Sequence, residues 1–367
     1  MSLLKFLPSQ HMYLTNKYKK YGIDQKVNMS DFMPMMFSGV DVSIVNSLRR
    51  IFVSEIDNLA VADKIELKMN TSQYHREVLL DRFGFITLNM EYIDREQLDE
   101  TEIRLILCDE ADINKPLRNN SASILKVFIH SHIKYFYKEQ EQPIQEICPF
   151  NSILLTLNPK EEILAVMIPT MGHGHQHPRW NSSIVMYKFG TSFDDNVNNV
   201  HIETNSELMS YKGKDIRTPE SILVTIESIG KMHSFTVLNK GLLSFKHKLM
   251  RTISEINQIP ASEKISIETD DLIPNFFKYH FDDEDHTLGR VLEYACLEEI
   301  KKLVAQDDKL LLDCLCGYRK PHPLDNYMEL IIKLPPSLNI KPNELVVKSI
   351  EMLVELCDKL LADVKRM

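Results

Sequence analysis

The chain has 367 residues, 44% hydrophobic and 26% charged, with a formal net charge of −9 at pH 7. That length suffices for two or three domains with full cores, and no Pro, Gly or Ser tract is long enough to imply sustained disorder. The acidic balance excludes a broad surface for gripping nucleic acid, which needs a large excess of Lys and Arg on one face, so any role near DNA or RNA is expected to run through a protein partner.

In chain order, the opening MSLLKFLPSQ carries no signal-peptide run, and nothing later approaches the ~18 consecutive apolar residues of a membrane helix; a soluble intracellular protein without membrane contact is expected. Residues 39–56 predict an amphipathic helix, with Ile44, Val45, Leu48, Ile51, Phe52 and Ile56 on one stripe and Asp41 or Ser43 as cap. Arg49 and Arg50 lie on its polar side. Alternating runs at 64–70, 123–137, 151–157 and 221–230 predict strands with one face buried. A second amphipathic helix is expected at 238–257. Between these, residues 190–220 are polar and without a period, as in a long surface excursion.

A second globular block starts near residue 260. It holds a strand at ISIETD, a capped helix at 283–303, a strand at 326–334 and a terminal helix. In that last helix Val346, Ile350, Leu353, Cys357, Leu360 and Val364 recur in steps of four and three, a seam suited to another long helix. The six cysteines (Cys108, Cys148, Cys296, Cys314, Cys316, Cys357) contain no CxxC and are expected as reduced, mostly buried thiols.

One pattern occurs twice. Asp41-Val-Ser-Ile-Val-Asn-Ser-Leu48 aligns with Asp285-His-Thr-Leu-Gly-Arg-Val-Leu292: an acid, a hydroxyl two residues on, an aliphatic next, and leucine at the eighth position. Each copy opens a helix behind a strand-like stretch. The repeat suggests two related half-modules, each covering an apolar face that the other cannot bury alone.

These residues bear a family likeness. VDVSIVNSLRRIFVSEIDNLAVADKIEL resembles the signature of the alpha-like assembly subunits of cellular DNA-directed RNA polymerases. DRFGFITLN (81–89), GHGHQHPRWNSSIVMYKF (172–189) and ILVTIESIGKM (222–232) are similar to that family's later elements. FDDEDHTLGRVLEY and CGYRKPHPLDNYMELIIKL resemble its smaller L-like partner subunit, so the chain resembles a head-to-tail fusion of the two, as in large nucleocytoplasmic DNA viruses.

The resemblance implies an α+β fold: an alpha-like dimerisation domain with an inserted mostly-β domain, fused to a second, smaller α+β dimerisation domain. The expected division is 1–36 as extension and first strand, 37–93 plus 218–258 as the alpha-like half, 94–217 as the insert, and 259–367 as the L-like half. The implied function is a non-catalytic scaffold that docks the two largest polymerase subunits. A small zinc-binding subunit is a further implied partner, and DNA is reached only through the complex. Magnesium chemistry belongs to the largest subunit, and no cofactor is expected in this chain. The implied compartment is virion and host cytoplasm for a viral protein, nucleus for a cellular one.

At residue level, the resemblance makes Arg49 and Arg50 docking candidates, against a merely solvated polar face, with Asn46, Glu55, His177 and Trp180. Val45, Leu48, Phe52, Leu288, Leu292, Ala295, Ile350 and Leu353 are the implied dimerisation contacts. Arg290 stands where the family carries asparagine. Some family members hold zinc or an iron–sulfur cluster in the insert; the corresponding stretch here has only Cys108, so that cofactor is expected to be absent. Three rival readings of residues remain. His173, His175 and His177, at i, i+2, i+4, have the spacing of a metal-dependent hydrolase site, against a structural or partner-facing loop. Cys314 and Cys316 are a lone CxC, against alternating strand residues. Asp285, His286 and Thr287 fit a helix cap better than a proton-transfer site, and the acid clusters at 282–286 and 193–195 lack the DxDxD spacing of a metal centre. A free adaptor sharing the dimerisation fold is the last alternative.

Overall fold

The computed structural model describes residues 3–7, 32–91, 102–193, 200–202, 221–269, 273, 275–304, 308–338 and 340–367. Strands β1 (Leu4–Phe6) and β2 (Phe32–Ser38) lead into α1 (Val42–Ser54), followed by β3 (Asn58–Asn70) and α2 (Arg76–Gly84). Next come β4 (Ile103–Leu107), β5 (Leu117–Arg118), β6 (Leu125–Phe128), the single turn α3 (Ile129–His132), β7 (Ile133–Tyr137), β8 (Gln140–Gln142), α4 (Ile144–Ile147), β9 (Ile153–Leu157) and β10 (Glu162–Gly172). The chain continues through β11 (Ser183–Phe193), β12 (Val200–Ile202), β13 (Ser221–Ser228) and α5 (Ser234–Asn257). It closes with β14 (Ile265–Thr269), β15 (Phe276–Asp282), α6 (His286–Val304), α7 (Asp308–Leu312), β16 (Leu315–Arg319), β17 (Tyr327–Lys333) and α8 (Pro342–Val364).

The strands form three main antiparallel sheets, ordered β1-β2-β13-β11-β12, β3-β10-β4-β7-β8 with β5 also on β10, and β14-β15-β17-β16, plus the β6-β9 pair. The two copies of the repeat occupy matching places. Each follows an edge-to-centre strand, β2 or β15, and starts a helix in the same way: the Asp41 carboxylate accepts from the Ser43 amide at 2.8 Å, and the Asp285 carboxylate accepts from the Thr287 amide at 2.7 Å. Such caps satisfy amides that the first helical turn leaves unpaired.

One continuous core joins the first and third sheets through α1, α5, α6 and α8. Val45, Leu48, Phe52, Leu288, Leu292, Ala295, Ile350 and Leu353, expected as dimerisation contacts, all lie in it and are essentially inaccessible. Helix α1 packs on α6 and α5, and α8 packs on α5 and α6. The seam read in the terminal helix is therefore buried as a helix–helix contact. A second core, built from β3, α2, β4 and β10 with Leu59, Phe83, Leu105 and Ile163, is separate from the first.

Two expectations need correction. The stretch 123–137 is not one strand: α3 interrupts it, with β6 pairing β9 and β7 pairing β4. At the break, His132 Nδ1 lies 3.1 Å from both the amide and the carbonyl of Phe128, folding the chain back on itself. Strand β3, from Asn58, pairs along its length with β10 and so lies in the second sheet. Finally, the excursion read as starting at 190 is strand as far as Phe193, where β11 pairs with β12. The rest of that excursion, residues 194–199 and 203–220, lies outside the described residues, as do Asp194 and Asp195 of the second acid cluster and most of the N-terminal extension.

Candidate docking site at the helix seam

The expected docking residues divide into two groups with different surroundings. Arg50, at the C-terminal part of α1, places Nη2 2.5 Å from Asp285 Oδ2, so the cap acid of the second repeat is also the partner of the first repeat's helix. Burial works to raise the Asp285 pKa, but the bonds from Thr287 and the Arg50 charge outweigh it and hold the carboxyl below its usual range. One turn earlier, the buried Ser47 hydroxyl donates to the Thr287 carbonyl at 2.8 Å. These two bonds tie the start of α6 to the flank of α1.

Arg49 turns elsewhere. Its Nε donates to Asn46 Oδ1 at 3.1 Å, and the half-buried guanidinium keeps its terminal nitrogens without a partner among the described residues. In the second repeat the aligned residues are Arg290 and Glu293, which pair directly with each other on α6. The two copies thus carry the same i, i+3 arrangement with different outcomes: open on α1, closed on α6. Arg290, where asparagine was expected, is neutralised by its own helix.

Glu55, just past α1, sits at the end of a charge chain that crosses the seam. Its carboxylate is 2.8 Å from Lys248 on α5; Lys248 is 3.1 Å from Glu284, and Arg251 is 3.5 Å from the same Glu284. Burial works against the Glu55 charge, yet the His175 bond and the Lys248 charge together keep its pKa low. Lys248 was not singled out from the sequence, and Glu284 was read only as part of the acid cluster at 282–286. The Lys248-x-x-Arg251 spacing, which puts two cations on one helix face, was the available signal.

The three histidines do not converge. His173 Nδ1 is 2.6 Å from Asp57, His175 Nε2 is 3.5 Å from Glu55, and His177 Nδ1 accepts from the Arg179 amide and Nε at 3.2 and 3.1 Å. The bond to Glu55 raises the His175 pKa against the effect of burial. Among the described residues, no group of three or more His, Cys, Asp or Glu side chains is placed to hold a metal ion. His177 caps the short 3-10 turn Pro178–Trp180 and faces Phe85, with ring centres 5.9 Å apart. Trp180 is buried; its Nε1 donates to the Thr170 carbonyl at 3.0 Å and its own carbonyl accepts from Asn58 at 2.9 Å. Gly172 allows this packing, since a Cβ there would meet the indole at 2.5 Å. Trp180 accordingly staples the loop to β3 and β10, while His177 holds Arg179 and faces Phe85.

Lys231 was also missed. It is 4% exposed, donates to the Arg179 carbonyl, and is pushed down to about 8 by burial. Cys316 is buried on β16, while Cys314, just before that strand, donates to the Leu310 carbonyl at 3.4 Å.

A family profile described as the RNA polymerase Rpb3/Rpb11 dimerisation domain matches residues 35–249, more than half of the chain. The chain belongs to this family. The match runs from β2 through α1 to most of α5 and so contains the first half of the helix seam. Within the Rpb3/Rpb11 family, the chain is 24% identical over 200 residues to the DNA-directed RNA polymerase II subunit rpb3 of Dictyostelium discoideum, covering 50% of this chain and 63% of that protein. It is 23% identical over 158 residues to the subunit Rpo3 of Pyrobaculum calidifontis, covering 43% and 58%. Against Rpo3 of Pyrococcus furiosus the identity is 22% over 268 residues, covering 62% and 94%. The chain spans about three-fifths of the length of the first two relatives. Among the described residues no helix is long and apolar enough to cross a membrane.

Proposed function

We propose that this chain is a non-catalytic assembly subunit of a multisubunit DNA-directed RNA polymerase, in which an Rpb3-like half and an Rpb11-like half are fused. The first half comprises β1, β2, β11–β13, α1 and α5. Residues from β3 to β10 form its mostly-β insert, and residues from about 259 onward form the second half. The fused halves present a platform on which the two largest subunits assemble, and a small zinc-binding subunit joins them. The magnesium chemistry of nucleotide addition resides in the largest subunit, this chain carries no cofactor of its own, and DNA is reached only through the complex. The setting is a viral polymerase, in virion and host cytoplasm; a cellular one would place the chain in the nucleus.

The observation that carries this reading is the seam: two helix-opening repeats with matching aspartate caps bury one shared core and are bridged by Arg50 and Asp285. Joining the halves in one chain makes their association intramolecular, with an effective concentration of order millimolar for a short linker. Arg49 is the docking residue of this platform, because its planar fork suits carboxylates and carbonyls and is open on one side.

Native affinity purification of the chain, with mass spectrometry of what remains bound in moderate salt, tests the proposal. Two very large subunits at equal stoichiometry, with RNA synthesis in the eluate, are expected; Arg49→Glu lowers their recovery. Recovery of the chain alone, or with unrelated proteins, would overturn the reading.

A further inference from the structure

A cleft of about 950 Å³ opens where the two halves meet. Its walls come from four places: Glu55 after α1, His173 to Gln176 of the histidine loop, one flank of α5, and Asp283 to Asp285 before α6. Lys264 and Lys320 of the second half stand at its edge.

Most of the charges in and beside the cleft are paired internally. Glu55 and Glu284 share Lys248, Arg251 adds to Glu284, Arg50 takes Asp285, and His173 takes Asp57. What remains unengaged is different in sign. Half-buried Lys264 and Lys320 have no ion pair among the described residues, against the single exposed acid of the lining, Asp283. Two unpaired lysines at the rim favour an anionic partner there, even on a chain of net charge −9.

The shape of the cleft narrows the choice of partner. Its volume far exceeds that of a single small anion. Apart from imidazoles, no aromatic ring lines it, so it lacks the stacking platform on which nucleotide bases are held. An extended polypeptide carrying carboxylates meets both conditions, with hydrogen-bonding partners in Gln176, Ser244 and Asn326 along the walls.

We propose that this cleft seats an acidic, extended segment of another polymerase subunit, with Lys264 and Lys320 gripping its carboxylates. The owner of the segment rests on the polymerase reading above; the acidic chemistry of the cleft does not. Because both halves build the walls, the segment binds only the closed seam and stabilises it by mass action. The histidine loop then has a role apart from metal binding: His173 and His175 anchor it to Asp57 and Glu55, and it forms one wall.

The test is a fluorescence-anisotropy titration of the purified full chain into fluorescein-labelled octaglutamate at low salt. Saturable binding is expected, absent for octaglutamine, weakened at least tenfold by Lys264→Glu with Lys320→Glu, and unchanged by Lys126→Glu on the remote strand β6. If the double reversal does not fold, Lys264→Gln with Lys320→Gln takes its place, with at least threefold weakening expected. Absence of saturable binding by the parent chain, or equal binding by the paired variant, overturns the proposal. Octaglutamate binding without large subunits in the purification would sink the polymerase reading alone; the converse pair of results would sink the cleft alone.

Discussion

Arg49 and Arg50 are neighbours in sequence and about 100° apart on the helix, and that angle separates their work. Arg50 reaches the cap acid of the opposite repeat, whereas Arg49 is held by Asn46 with its fork open. A single side chain can also oppose its own fold. Lys231 is buried with one carbonyl for a partner, and its pKa near 8 lies below the ordinary lysine value of 10.5. The unfolded chain therefore binds more protons between those values, and stability rises as pH climbs from about 8 towards 10.5. Lys231→Met, similar in length and uncharged, is expected to be more stable than the parent by about 2 kcal/mol at pH 7, the relief of burying the charge less the lost Arg179 bond. Urea unfolding at pH 7 and pH 9.5 checks this: the gap between the two proteins should narrow at the higher pH, and a gap independent of pH would contradict it.

At the scale of elements, close approach decides which helices can pair. Gly241 on α5 faces Phe52 of α1 so tightly that a Cβ would sit 2.2 Å from the ring, and that ring is completely buried with nowhere to retreat. Alanine favours an isolated helix by about 1 kcal/mol over glycine, but overpacking a filled core costs about 1–3 kcal/mol. Gly241→Ala is therefore expected to lower stability by roughly 1 kcal/mol or more in spite of its propensity, measured as a drop in urea midpoint at constant m-value. Gly289 has the same tightness against Tyr318. Helical elements were legible before the structure because capping acids and apolar stripes are local signals: α1, α5, α6 and α8 all start and end within a few residues of the expected places. Strands fared less well. The alternation in 123–137 continues straight through the turn at Ile129–His132, since alternating burial does not show that a chain has left one sheet for another.

Across the whole molecule, the first and third sheets have no strand in common, yet their helices share one core. The N-terminal strand is also tied to the last helix: the buried Asp363 carboxylate of α8 accepts from the amides of Leu3 and Leu4 at 2.8 and 3.3 Å. If the seam behaves as an interface, cutting the chain after Pro260 and co-expressing the two pieces should yield a one-to-one complex, since most of the bonding across it is non-covalent burial. Arg50→Glu is expected to reduce that recovery several-fold by setting two acids against each other at Asp285. Size-exclusion chromatography of the co-expressed pieces reads the result, and pieces that fold and elute separately would show that the covalent link, not the seam, holds the halves together.

The sequence by itself determined the helical stripes, the repeat that relates the two helix starts and the cap at Asp285, because each follows from side-chain periodicity or from hydrogen bonding within two or three residues; between Asp41 and Ser43 as the first cap it left the choice open. Tertiary structure alone decided that Asp41 rather than Ser43 caps α1, that Arg50 serves Asp285 while Arg49 stays open, that the histidines part company, that β10 gathers β3, β4 and β5 into one sheet, and that a cleft opens among α5, the histidine loop and the start of α6. These depend on partners far away in the chain, 235 residues for Arg50 and Asp285, and no local pattern of charge or hydropathy specifies which distant group folding brings within reach.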